Sequence, residues 1–213
     1  MRCEDDIMEF DLDDLTEALM GNVKKDIKDF DDILNLDCSL NREYHLGGIE
    51  DNTGTSMAGV IRFWNKWDDA HNIPVEKRQP IKIYIDSAGG DLCATLTIID
   101  AIKLSKTPIW TINDGAAYSG GFFIFICGNR RFTMKHSTFL YHEGSTGAGG
   151  TSIQFENYSQ FYKDQLKQLR EITLENTKIS TELYEEKRKE DWWIFADEAI
   201  ELGICDEIIK EFV

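Results

Sequence analysis

Twice in this sequence an isoleucine-rich run breaks off into small residues. Ile81, Ile83 and Ile85 lead into Ser87-Ala88-Gly89-Gly90, and Ile109 to Ile112 leads into Asp114-Gly115-Ala116-Ala117-Tyr118-Ser119-Gly120-Gly121. An apolar segment follows each turn: Leu92 to Leu104 reads as a helix, and Phe122 to Cys127 is a continuous apolar run. Thr107-Pro108 stops the first helix, because a residue before proline is driven out of the helical region. Strand, glycine turn, helix and strand in that order predict right-handed βαβ units and a largely parallel sheet, hence an α/β fold. Upstream, Met57 to Trp67 has helical spacing. Downstream, Phe132 to Met134 and Phe139 to Tyr141 read as short strands, and about Ser152 to Lys178 as a long helix. Asp197 to Leu202 reads as a final helix stopped by Gly203, and Ile204 to Ile209 as a last strand.

Charge divides the chain near residue 40. Of a net −16 over 213 residues, −9 falls between Met1 and Asp37, where 13 acidic residues face 4 basic ones. Residues 1–40 are therefore expected to form an acidic segment, either short amphipathic helices or a partly disordered arm, with a docking segment as the sharper reading. Residues 41–213 are expected to form the folded domain. The acidic balance repels phosphate backbones and anionic membranes, so neither nucleic acid nor membrane is an expected partner. Five widely spaced cysteines offer neither a CxxC pair nor a zinc knuckle, which predicts reduced thiols, no metal site and a cytoplasmic compartment. The acidic start and the lack of a long apolar run predict neither an export signal nor a membrane span. The P-loop and dinucleotide fingerprints do not occur, and no cofactor is expected.

The chemistry is expected at the glycine turns. A serine at a strand-to-helix bend has an exposed hydroxyl and a free amide beside it, so Ser119 reads as a nucleophile or, equally, as a helix N-cap. A serine hydroxyl needs a base of near-neutral pKa, and there are four histidines: His45, His71, His136 and His142. His142 closes the apolar strand Phe139-Leu140-Tyr141, the edge at which functional groups of an open α/β sheet collect, although a strand-end histidine is also commonly structural. His136 reads as a turn residue. With 39 acidic residues, composition does not choose the carboxylate that would orient the imidazole.

The pieces REYHLGGIED, IKIYIDSAGGD, GAAYSGGFF, STFLYHE and DWWIFADEAIELGICDEI stand in this order between about Arg42 and Val213. In them the sequence resembles the proteolytic subunit of the Clp protease, a self-compartmentalising serine peptidase of the ClpP/crotonase fold. The resemblance implies a repeated β-β-α superhelix with a protruding handle helix, and assigns that handle to Ser152 to Lys178. It implies a triad of Ser119 as nucleophile, His142 as base and Asp191 as the orienting carboxylate, with the amides of Gly90 and Gly120 as oxyanion hole. It also implies a homo-oligomer of heptameric rings stacked as a tetradecamer, peptide or unfolded-protein substrates, and an AAA+ unfoldase as ATP-dependent partner.

This sequence departs from that family at several points. Ala88 stands for a proline, Gly120 for a methionine, Glu143 for a glutamine beside the base, and Phe195 for a serine that would cap the final helix. The acidic N-terminal segment does not resemble the family's axial loops. Competing expectations are a non-catalytic ring subunit or scaffold, a signal-peptide-peptidase-like enzyme, which would use a serine and lysine pair, and a crotonase-type acyl-CoA enzyme, which needs no serine nucleophile.

Overall fold

Ile81, Ile83 and Ile85 are fully buried and alternate with half-exposed Lys82 and Tyr84, the period of a strand with one face on the core. Each such isoleucine contributes about 1.5–3 kcal/mol by leaving water. The strand is β2, Ile81–Ser87. It belongs to a computed structural model that describes residues 38–211. The expected N-terminal helices around Ile7 to Leu34 lie outside the described residues. The contacts divide the chain after Asn41, and the second unit begins at Arg42.

In chain order this unit runs β1 (Glu43–Leu46), α1 (Asp51–Ala70), β2, α2 (Leu92–Leu104), β3 (Ile109–Tyr118), α3 (Gly120–Phe125), β4 (Arg130–Thr133) and β5 (Thr138–Tyr141). It continues with α4 (Ser152–Asn176), α5 (Thr181–Lys187), β6 (Trp192–Phe195), α6 (Ala196–Glu201) and β7 (Glu207–Ile208). The sheet order is β1-β2-β3-β4-β7, all parallel, with β5 added to the far half of β3 and β6 antiparallel to β5. This mixed α/β, parallel-dominated sheet agrees with the expected fold class.

β3 is longer than expected and serves two neighbours. Its first half, Trp110 to Asn113, pairs with β4, and Ala116 to Tyr118 pair with β5. Asp114-Gly115 reads as a turn in sequence, yet the chain passes through it as a bulge against β2, between the pairs Ile85↔Asn113 and Ser87↔Ala117. Asp86 Oδ1 bridges the irregularity by accepting from the Ala116 amide at 3.0 Å. The apolar run after the second turn is the buried helix α3, whose six residues are all inaccessible.

α4 ends at Asn176, two residues before the expected end. Its apolar residues divide into two groups. Leu169 and Ile172 are buried and Leu166 packs on the core, whereas Ile153, Phe155, Tyr158 and Phe161 stand exposed on the first half. β1, α5 and β6 are additional to the elements expected from the sequence. The last strand shrinks to Glu207–Ile208, because Ile204 and Cys205 are buried in the turn before it.

Candidate active site

Three registers converge on one edge of the sheet. β2 and β3 pair Ser87 with Ala117, β3 and β5 pair Tyr118 with Leu140, and β5 and β6 pair Tyr141 with Trp192. Extending these ladders by one or two residues places Gly89 opposite Ser119, Ser119 beside Tyr141, and His142 opposite Asp191. The candidate residues thus lie at adjoining termini of four strands.

Ser119 leaves β3 with φ 53° and ψ −118°. It is one of three non-glycine residues with positive φ among the described residues, and such a conformation costs about 1–3 kcal/mol and persists only where the surroundings impose it. Here they do: the Ser119 amide donates to the Leu140 carbonyl at 2.9 Å, and its own carbonyl accepts from Phe123 at 3.3 Å. Ser119 occupies the N-cap position of α3, but its side chain makes no capping hydrogen bond, so the hydroxyl is not committed to the helix end. Among the described residues the Ser119 hydroxyl is hydrogen-bonded neither to His142 nor to any other group.

His142 Nδ1 lies 3.7 Å from Asp191 Oδ1, within ion-pair reach and longer than a hydrogen bond. The imidazole is 30% and the carboxylate 61% exposed, so the pair is wet in the single chain. Glu143, the expected extra charge beside the base, is directed elsewhere: Arg188 Nε donates to its Oε1 at 2.6 Å. Burial works against the Arg188 cation, but Glu143 outweighs it and raises the guanidinium above its ordinary range.

The first glycine turn supplies the opposite wall. Ile49 donates to the Gly89 carbonyl at 3.1 Å and accepts from the Asp91 amide at 2.7 Å, a parallel bridge that uses the groups on either side of Gly90 and omits its amide. Among the described residues neither the Gly90 nor the Gly120 amide donates to a backbone carbonyl. Positions 89 and 90 have φ of +93° and +152°, and a Cβ at Gly90 would fall on the Ile49 carbonyl. The departure at Gly120 has a local cause, since a Cβ there would come within 2.5 Å of Thr95 Oγ1 and 3.1 Å of Ile49 Cδ1. Ala88 is exposed and leaves the turn intact, with Ser87 Oγ accepting from the Gly89 amide at 3.0 Å. Phe195 begins α6 without a side-chain cap, as its apolar side chain requires.

The two buried cysteines among the described residues are poor nucleophile candidates. Burial pushes the thiols of Cys127 and Cys205 up to about 12, which keeps them protonated at neutral pH. His45 stacks on Tyr84 and His71 on Trp67, and His136 sits in the turn expected for it.

A family profile described as Clp protease matches residues 74–212, well over half of the chain. The chain belongs to the Clp protease family. Its curated relatives include proteolytic subunit 2 of the ATP-dependent Clp protease from Treponema pallidum (strain Nichols), 28% identical over 135 residues, which are 62% of this chain and 68% of the relative. Subunit 3 from Rhodococcus jostii (strain RHA1) is 31% identical over 139 residues, 64% and 69% of the two chains. The proteolytic subunit from Streptococcus sanguinis (strain SK36) is 27% identical over a longer span of 168 residues, 77% and 82%. Membership in the Clp protease family supports a serine peptidase role. Among the described residues no helix is long and apolar enough to cross a membrane.

Proposed function

We propose that this chain is a serine endopeptidase that hydrolyses peptides and unfolded polypeptides through Ser119, His142 and Asp191. The observation that carries this reading is the convergence of the strained Ser119 bend and the His142–Asp191 pair at adjoining strand ends, beside the Gly90 and Gly120 amides, which donate to no backbone carbonyl among the described residues.

In the reaction, the Ser119 hydroxyl attacks the scissile carbonyl as His142 Nε2 accepts its proton, and Asp191 stabilises the imidazolium through Nδ1. The Gly90 and Gly120 amides receive the oxyanion of the tetrahedral intermediate, a contribution of about 2.7–4 kcal/mol per donor in comparable sites. The imidazolium then protonates the leaving amine, and water resolves the acyl-enzyme by the same route in reverse. No cofactor enters these steps. The 3.7 Å His142–Asp191 distance and the unbonded Ser119 hydroxyl fit an unliganded site, in which catalytic hydrogen bonds tighten when substrate arrives.

The exposed apolar half of α4 supports assembly. Ile153, Phe155, Tyr158 and Phe161 form a patch that a second copy would cover, consistent with rings stacked through their handles into a closed chamber. Heptameric rings, an AAA+ unfoldase as ATP-dependent partner, a cytoplasmic setting and a separate acidic segment over residues 1–40 belong to the same reading. The second reading, a non-catalytic ring subunit or scaffold, draws on the Ser119 hydroxyl lacking a bond to His142. Hydrolysis of short fluorogenic peptides decides between them: the unmodified chain should be active, and Ser119→Ala should retain only the roughly 10³ to 10⁴ over water that binding and the oxyanion hole supply. Equal rates for the two chains would exclude Ser119 as nucleophile.

A further inference from the structure

Beside the long His142–Asp191 contact runs a second, shorter pair. Glu143 follows His142 by one residue and Arg188 precedes Asp191 by three, and Arg188 Nε donates to Glu143 Oε1 at 2.6 Å where the neighbouring pair spans 3.7 Å. The β5–β6 ladder ends at Tyr141↔Trp192, so it stops before both His142 and Asp191. Beyond Glu143 the chain enters the irregular, glycine-rich stretch 144–150, which offers no regular ladder to hold the base. The restraint comes from elsewhere. The Tyr162 hydroxyl on α4 donates to the Glu143 carbonyl at 2.7 Å. Arg188 also reaches Glu185 at 3.5 Å, and Glu185 accepts from Arg170 on α4 at 3.0 Å.

We propose that Glu143 and Arg188 are positioning residues, a cross-brace that fixes the backbone of the base against the backbone of its carboxylate and so sets the His142–Asp191 spacing. This inference rests on the peptidase reading above. Both side chains of the brace are a quarter to a third exposed, 25% for Glu143 and 35% for Arg188, so its weight in global stability is small and its effect falls on geometry. A displacement of about 1 Å at a reacting group can lower turnover up to about 10²-fold, which is the scale on which a lost brace acts. A purely electrostatic role for Glu143 predicts a different pattern. Removing Glu143 would strip a negative charge from the neighbourhood of His142, whereas removing Arg188 would leave that charge uncompensated, so the two changes would act in opposite directions.

The test uses the full-length chain and a fluorogenic peptide, with kcat, KM and the thermal midpoint measured for Glu143→Ala, Arg188→Met, Arg188→Lys and the reversed pair Glu143→Arg/Arg188→Glu. The brace predicts that Glu143→Ala and Arg188→Met each lower kcat by roughly 10- to 100-fold with KM and thermal midpoint nearly unchanged. It predicts that Arg188→Lys and the reversed pair recover most of the loss. Full kcat in both single variants of an active enzyme overturns the brace and leaves the peptidase reading standing, and so do kcat changes of opposite sign or losses that follow a fallen thermal midpoint. An unmodified chain without hydrolytic activity overturns both.

Discussion

Gly89 lies directly against Ser119: a Cβ built on Gly89 would stand 2.7 Å from the Ser119 Cβ, 2.9 Å from the Tyr118 carbonyl oxygen and 3.0 Å from the Gly120 amide nitrogen. The two glycine turns that punctuate the sequence are thus the two sides of one site. Gly89→Ala must push the Ser119 bend away or shift the first turn, and its φ of +93° adds strain of its own. We expect peptide hydrolysis to fall by about 10²-fold or more, as misplacement of a reacting group does, with the chain still folded by circular dichroism. Near-normal turnover in this variant would mean that the first turn does not frame the nucleophile.

The family resemblance assigns the orienting carboxylate to Asp191, and the register that pairs Tyr141 with Trp192 sets residue 142 opposite residue 191. Asp191→Asn should keep this geometry and lower turnover by roughly 10⁴, because the amide favours the wrong imidazole tautomer. Glu190, whose carboxylate lies 3.6 Å from Lys187 Nζ, should tolerate Glu190→Gln. Steady-state kinetics on the two variants compare them directly, and the reverse ranking would place the orienting carboxylate at position 190.

The handle yields a prediction that the sequence alone misdirects. Spacing groups Leu169 with Phe161 on one apolar surface, but Leu169 is 4% exposed and belongs to the core of the single chain. Leu169→Glu should therefore unfold the protein, since it buries an unpaired charge. Phe155→Glu with Phe161→Glu changes only side chains that are each 54% exposed, and should split an assembly while leaving the fold melting as before. Light scattering on the double variant should give a smaller particle than the unmodified chain. An unmodified chain that runs as a monomer near 24.5 kDa would contradict the chamber.

A buried ion pair at the start of the domain predicts acid sensitivity. Arg42 holds both oxygens of Asp68, at 2.7 and 3.0 Å, and Thr107 donates to the same carboxylate at 2.6 Å. Burial works against the Asp68 anion, but these donors and the Arg42 and Arg78 charges outweigh it and hold the carboxyl below its ordinary range. A depressed folded-state pKa means stability that is fully present above the unfolded value, near 3.9, and is lost as pH falls below it through the folded value. Arg42→Met leaves Asp68 buried without its main partner and should cost about 3–5 kcal/mol at neutral pH. Urea unfolding from neutral pH down to about pH 2 reads both effects. A flat stability profile in the unmodified chain through the acid range would contradict the Asp68 contribution.

Much of this architecture is legible in the residues, and the failures have physical causes. α2 is found at both ends, because Asp91 caps it by accepting from Ala94 at 2.7 Å and Thr107-Pro108 closes it. β2 is plain from its isoleucine alternation. β6 is not, since its four residues follow a charged run and two of them, Trp193 and Phe195, face solvent at 53% and 67%. α5 is hidden by its charge: its buried Tyr184, whose hydroxyl accepts from Tyr141 at 2.7 Å, and the partly buried Leu183 tie it to the core. At the site, the strand-end positions of Ser119 and His142 can be read locally. Asp191 cannot, because its place depends on a pairing between strands some fifty residues apart, and in sequence only the family resemblance points to it. Glu143 is legible as a departure, but its partner Arg188 is not, since an ion pair 45 residues apart leaves no local pattern.

Ser119 as a nucleophile activated in place is the central claim. Reaction of the assembled, unmodified protein with a serine-directed fluorophosphonate, followed by mass-spectrometric mapping of the labelled peptide, addresses that point without assuming a substrate. The expected result is a single label on Ser119 that disappears in His142→Ala, because only a serine with a working base attacks the reagent. An unlabelled Ser119 in assembled protein, or a label that persists without His142, would contradict the triad.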